Sequence, residues 1–328
     1  HDDTIGHGWA LDFLRRVVDA DRVGHAYLLT GPAHIGKTHL ATRFAAMVNC
    51  IGTASPCGVC TACVKTFRGT HPDVILIEPD GDHVKIDQIR RLQYHLSLSP
   101  LEGRRRVCII TDLHTATLEA SNALLKTLEE PPSRVILIAT ATDAGLLLPT
   151  IVSRCQTLSL RAVPADEIER AILARWPDRP DDARLVARLA AGRVGWALRA
   201  MDDAHILAER RERLDELREI LRQGRAGRIR AAERLSRQDD LLDTARLWQS
   251  WWRDVMLLHG GCSELLVNDD EADALRQVAD QCDLTAAQKA IRSIEACMQQ
   301  LDQNVNARLA LEVMLLSWGR VHVTSSQV

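Results

Sequence analysis

The chain has almost no net charge, −3 over 328 residues. No overall basic field draws it onto nucleic acid, so any such contact has to be local or shared with other chains. It has no apolar run long enough to span a bilayer and no secretory leader at its start, so a membrane protein or an exported one is not expected. It has no internal repeat and no low-complexity tail, which sets repeat architectures aside. Without an export signal, the nine cysteines read as reduced thiols or metal ligands rather than a disulfide framework. His1 stands where a methionine is usual, as expected of a trimmed start or a tag remnant. What is present is ordinary globular material, 46% hydrophobic and 26% charged, long enough for two or three domains.

One stretch organises the rest. Gly31-Pro32-Ala33-His34-Ile35-Gly36-Lys37-Thr38 fits the phosphate-binding P-loop, G-x-x-x-x-G-K-[ST]. Ala26 to Thr30 reads as a buried strand running into it. His39 to Asn49 reads as the helix leaving it, with Leu40, Phe44 and Val48 on one face. Glycines let the backbone turn so that N–H groups point inward at a phosphate, and the helix N-terminus adds positive potential. Gly31 and Gly36 are the turn residues, Lys37 supplies charge for the outer phosphates, and Thr38 can ligate Mg²⁺. ATP or ADP is the expected ligand.

Val74–Ile77, Val107–Thr111, Val135–Thr140 and Gln156–Leu160 read as further short buried strands. Helices are expected over Trp9–Ala20, Ile86–Leu96 and Leu118–Leu128, the last stopped by Pro131-Pro132. Such alternation predicts an α/β domain with a parallel sheet covered on both faces, over residues 1–162. After Pro164 the strands disappear. Residues 163–203 read as a small three-helix unit and 204–328 as an all-helical domain. In the latter, Glu209–Arg237 reads as a solvated helix face in preference to a DNA stripe. Trp248, Trp251 and Trp252 have helix-core spacing. Arg308–Trp318, with Leu309, Val313, Leu316 and their neighbours, is expected to close the bundle.

Behind the P-loop helix, Cys50, Cys57, Cys60 and Cys63 give C-x6-C-x2-C-x2-C, a spacing that suits tetrahedral Zn²⁺. Four thiolates leave no position for water, so the expected site is structural. A redox Cys-x-x-Cys pair, or a nucleic-acid-binding zinc ribbon, is the alternative; the insert carries Lys65 and Arg68 but no basic cluster.

The third strand runs into Thr111-Asp112-Leu113. Asp112 is suited to Mg²⁺. In P-loop ATPases an acidic residue follows to polarise the attacking water, and a leucine cannot do so. Thr140, near the end of the fourth strand, is placed either to hydrogen-bond a γ-phosphate or water, or to satisfy backbone.

Ala120-Ser121-Asn122-Ala123-Leu124-Leu125-Lys126-Thr127-Leu128-Glu129-Glu130-Pro131-Pro132, Ser153-Arg154-Cys155 and Gly69-Thr70-His71-Pro72-Asp73, with the four-cysteine insert, resemble the AAA+ clamp-loader family of bacterial DNA polymerase III. The resemblance covers essentially the whole chain and is most specific over its first 160 residues. It implies a RecA-like domain, a helical lid and a helical collar. It also implies a hetero-oligomer with motor subunits (gamma/tau) and delta, which acts on the sliding clamp and primer-template DNA. Membership of the polymerase III holoenzyme and a cytoplasmic, replisome-associated place in a bacterium follow from it. Within the family, Leu113 and Gly195, at the places of the motor subunits' acidic residue and γ-phosphate-sensing arginine, are similar to the delta-prime type. That type implies a scaffold that hydrolyses ATP poorly and gives Arg154 as an arginine finger to a neighbour's ATP. A gamma/tau-like motor is the alternative, and a stand-alone zinc-containing DNA-binding ATPase a weaker one.

Overall fold

In the computed structural model, residues 4–238, 240–303 and 305–319 are described; His1 lies outside them. The chain divides into two compact units. One comprises His1–Pro177 with Ala190–Leu198, the other Asp178–Leu189 with Arg199–Val328.

The first unit opens with helix α1 (Gly8–Asp19), then β1 (Ala26–Thr30), α2 (Lys37–Asn49) and α3 (Thr61–Phe67). Next come β2 (Val74–Ile77), α4 (Ile86–Ser97), β3 (Arg106–Ile110), α5 (Leu118–Glu129) and β4 (Val135–Ala141). The short α6 (Pro149–Val152), β5 (Gln156–Ser159) and α7 (Ala165–Arg175) follow. The strands form one sheet in the order β2-β3-β4-β1-β5, every pairing parallel. Alternate residues supply its two faces, as the pleat requires. Tyr27, Leu29, Val107, Ile109, Ile136 and Ile138 pack with α1 and α2. Leu28, Cys108, Ile110, Leu137 and Ala139 pack with α4 and α5. Burial on both faces is why these strands read as unbroken apolar runs.

The expected strands and helices recur with ends shifted by a residue or two. One difference is informative. Helix α2 buries Ala45, Ala46 and Met47 as well as Leu40, Phe44 and Val48, because the cysteine insert with α3 covers the side that the sheet does not.

The Gly69–Asp73 motif has a structural explanation. Asp73 is fully buried and accepts hydrogen bonds from the N–H groups of Leu101, Glu102 and Gly103. It also pairs with buried Arg106 at 3.0 Å. Burial alone would raise this carboxyl, but those donors outweigh it and hold it at about 2. Because the folded value lies below the unfolded one, the stabilisation is complete above about pH 4 and is lost as pH falls through 2. Urea unfolding at pH 5 and pH 2 should differ by about 2 kcal/mol from this residue, a difference that Asp73→Asn removes.

Helices α8 (Pro180–Leu189), α9 (Val194–Asp202), α10 (Ala204–Arg222), α11 (Arg225–Leu235), α12 (Leu241–His259), α13 (Ala272–Ala279), α14 (Leu284–Asp302) and α15 (Ala307–Ser317) complete the chain. Helix α9 runs from the first unit into the second, so the helices of 163–203 are shared between them.

In the second unit Trp248, Trp251 and Trp252 are core residues, with the Trp318 ring edge-on to Trp248 and to Trp252 at 5.9 Å. The Arg/Glu run is largely an ion-paired surface, as in Arg234–Glu216 and Arg237–Glu233. Arg210 and Arg228 depart from that reading. Arg210 is buried on Asp270 and Asn268, and Arg228 donates to the carbonyls of Ile220, Leu221 and Leu315. Helix α15 is turned opposite to the expected sense. It packs through Ala310, Leu311, Met314 and Leu315, and Leu309, Val313 and Leu316 face outward at 57%, 61% and 36% exposure.

Candidate functional site

β1 ends between β4 and β5, so the loop after it opens at the carboxyl edge of the sheet, where open α/β sheets bind ligands. Gly31 has φ +144° and Gly36 φ +107°, values that L side chains rarely adopt. A Cβ at Gly31 would also stand 2.6 Å from the Leu160 carbonyl oxygen. Gly36 caps α2, whose first residues are Lys37 and Thr38, so their N–H groups have no acceptor within the helix. Lys37 is buried, and its ammonium donates to the Gly31 and Pro32 carbonyls at 2.7 and 2.8 Å. Burial lowers its pKa and the Asp112 charge opposes this. The Thr38 side chain is exposed.

Asp112 follows β3 in a left-handed conformation, φ +46°. Its N–H donates to the Thr140 hydroxyl at 3.0 Å. The hydroxyl of buried Thr140 therefore ties the ends of β3 and β4 together. Leu113 is in the core beneath them. The structure thus brings Gly31, Gly36, Lys37, Thr38, Asp112 and Thr140 to one end of the sheet.

Three further residues bear on this site that the P-loop pattern does not reveal. His114 lies within the fields of Asp112 and Lys37, its pKa lowered by burial, with Nδ1 buried and without a hydrogen-bond partner among the described residues. Its place two residues beyond Asp112 was the available signal. Buried His7 lies against the loop with Nε2 at 2.9 Å from the Ile35 carbonyl, so that nitrogen carries the proton. Gly195 N–H donates to the His34 carbonyl at 2.7 Å. A Cβ on Gly195 would meet that oxygen at 2.9 Å, so no larger side chain fits there without a shift. Arg193 donates to the Ala190 carbonyl and lies over the Trp196 ring, 5.6 Å from its centroid.

Arg154 is held elsewhere. Its guanidinium is half-buried, donating to the Thr150 carbonyl at 2.9 Å and pairing with Glu129 at 2.8 Å.

The Sγ atoms of Cys50, Cys57, Cys60 and Cys63 lie within 4.8 Å of one another. Backbone amides aim at the sulfurs: Gly52 and Cys57 N–H at Cys50, Cys60 N–H at Cys57, and Cys63 N–H at Cys60, all at 3.3–3.4 Å. Burial raises the Cys60 thiol, yet the N–H groups of Cys63 and Ile51 and the neighbouring thiols bring it to about 6. Burial pushes Cys63 up. Four converging sulfurs with amides donating to them suit a thiophilic cation.

Strand order, P-loop and strand-end aspartate define a P-loop protein built on a parallel α/β sheet. The family described as "DNA polymerase III, delta subunit" matches residues 6–164, and "DNA polymerase III, delta subunit, C terminal" matches 204–320. DNA polymerase III subunit delta' of Pseudomonas aeruginosa is 30% identical over 90% of this chain and 91% of its own length. The subunit delta' of Bacillus subtilis is 29% identical over 93% and 94%. Subunit tau of Escherichia coli is 34% identical over 62% of this chain, which spans about a third of that protein. The chain belongs to the delta' family of DNA polymerase III clamp-loader subunits.

Proposed function

We propose that the chain is a scaffold subunit of the DNA polymerase III clamp loader, in the bacterial cytoplasm. It works with gamma/tau motor subunits and delta to place the sliding clamp on primer-template DNA. The observation that carries the non-motor part of this reading is the end of β3. A P-loop with every signature residue stands beside Asp112, but the next side chain is Leu113, buried in the core. The site can hold nucleotide through the loop amides, Lys37 and Thr38, with Asp112 toward Mg²⁺. It has no carboxylate following Asp112 to polarise water. Gly195 against His34 likewise supports the absence of a phosphate-sensing arginine at that position.

Arg154 is then the residue that acts in catalysis, on ATP bound by the adjoining motor subunit. A guanidinium fork stabilises charge gathering on the transferring phosphoryl group. Its bonds to Thr150 and Glu129 rather than to the chain's own P-loop support a role in trans. The four cysteines hold Zn²⁺ as a structural ion that fixes the insert against α2. Residues 163–203 serve as the lid and 204–328 as the collar. The outward apolar row Leu309, Val313 and Leu316 supports a subunit contact there. The complete P-loop and the likeness to tau favour the motor reading instead; the buried Leu113 speaks against it.

Reconstitution tests the assignment. A loader assembled from motor and delta subunits should close clamps on primed DNA when this chain is added and fail without it. Equal loading without the chain would refute it.

A further inference from the structure

The amino edge of the sheet, opposite the P-loop, carries a cleft of about 400 Å³. Parallel strands bring its parts together. Val23 precedes β1, Arg104 and Arg105 precede β3, and Arg134 precedes β4, while Val18 of α1 and Val48 of α2 complete an apolar floor. Three guanidinium groups stand at the rim against one carboxylate, that of Asp21. Asp21 pairs with Arg105 at 3.2 Å. The guanidinium groups of Arg104 and Arg134 have no hydrogen bond or ion pair among the described residues, and both residues are exposed. The rim is built rather than loose. Arg105 N–H donates to the Asn49 side chain at 3.1 Å, and the Arg134 carbonyl accepts from Arg106 N–H at 2.8 Å.

We infer that this cleft docks an acidic segment of a partner protein, one apolar side chain seated on Val18, Val23 and Val48 and flanking carboxylates on Arg104 and Arg134. The forks match carboxylates in a two-pronged geometry. The valine floor decides between partners. An apolar side chain gains by leaving water there, at about 25 cal/mol per Å². A phosphodiester gains nothing from valines and loses hydration against them. The cleft also lies at the far end of the strands from the nucleotide site, so docking there leaves the P-loop accessible.

A phage-displayed hexapeptide library selected on the full-length chain tests this directly. The expected winners carry an aliphatic or aromatic residue between acidic ones. A fluorescein-labelled winner should bind saturably and lose at least about tenfold in affinity to the double variant Arg104→Glu, Arg134→Glu, a loss of 1.4 kcal/mol. It should lose as much when its apolar residue is changed to serine. Arg104→Gln with Arg134→Gln repeats the test if charge reversal lowers the melting temperature. Selection without such a consensus, or winners that bind the variants as tightly as the parent chain, would overturn the inference. Displacement by oligodeoxythymidine, with no effect of the serine change, would overturn it in favour of nucleic acid phosphate.

Discussion

Arg154→Ala, built into a reconstituted loader, is expected to slow single-turnover hydrolysis at the adjoining motor site by about 1,000-fold or more, the range that arginine fingers supply. The effect should fall on the chemical step. Nucleotide binding to the motor subunit should change little, because the guanidinium is most valuable when charge has gathered on the transferring group. Arg154→Lys should restore little, since an ammonium cannot present the fork. The chain itself should stay folded. The Arg154–Glu129 pair is partly exposed, with side chains 35% and 51% accessible, and surface pairs of this kind are worth about 0–1 kcal/mol. An unchanged melting temperature beside a collapsed single-turnover rate would separate catalysis from structure. An unchanged rate would remove Arg154 from the mechanism.

The second large effect concerns the cysteine insert. Cys63→Ser should reduce zinc from about one ion per chain to nearly none by elemental analysis. It should also lower the unfolding temperature of the first unit by roughly 10 °C, corresponding to about 4 kcal/mol. Cys63 is fully buried beside Ala46 of α2, so an ion held by the four sulfurs would join the insert to the helix that carries Lys37. Gly52→Ala should have a milder effect of the same kind, because the added Cβ would stand 2.9 Å from the Cys57 sulfur. A chain containing no zinc, or one whose melting is indifferent to chelator, would refute the four-thiolate site.

Much of this was legible in the sequence, for reasons that differ by element. The central strands β1, β3 and β4 were readable because each is short and buried on both faces, so local hydrophobicity reports their place in the sheet. The P-loop and the cysteines were readable because their chemistry is contained in eight and fourteen successive residues. What escaped depends on topology. His7 meets Ile35, and Asp73 meets Arg106, only after α1 and β3 are laid beside their neighbours. Arg228 looked like one more surface arginine because its acceptors are backbone carbonyls, including Leu315 on another helix, and carbonyls leave no trace in a sequence. The outward turn of α15 was misread for a related reason. Its apolar residues occupy more than one face, and periodicity alone does not say which face finds the core. Gly195 is the converse case. Its glycine was visible, but the reason for it, the His34 carbonyl, was not.

These pieces give the P-loop a different standing from the one its signature announces. It is complete in every residue of the phosphate-binding signature, yet a buried leucine, Leu113, stands where a carboxylate would follow Asp112. The Ser153-Arg154 turn, which precedes β5 and so stands at the opposite end of the sheet, carries the group proposed above to act on a second subunit's nucleotide. Steady-state ATP turnover by the purified chain alone, with Lys37→Ala as control, tests this division most directly. The account predicts a rate indistinguishable from that of Lys37→Ala, whether or not nucleotide binds, with hydrolysis appearing only when motor subunits are added. Sustained turnover by the isolated chain that Lys37→Ala abolishes would contradict it.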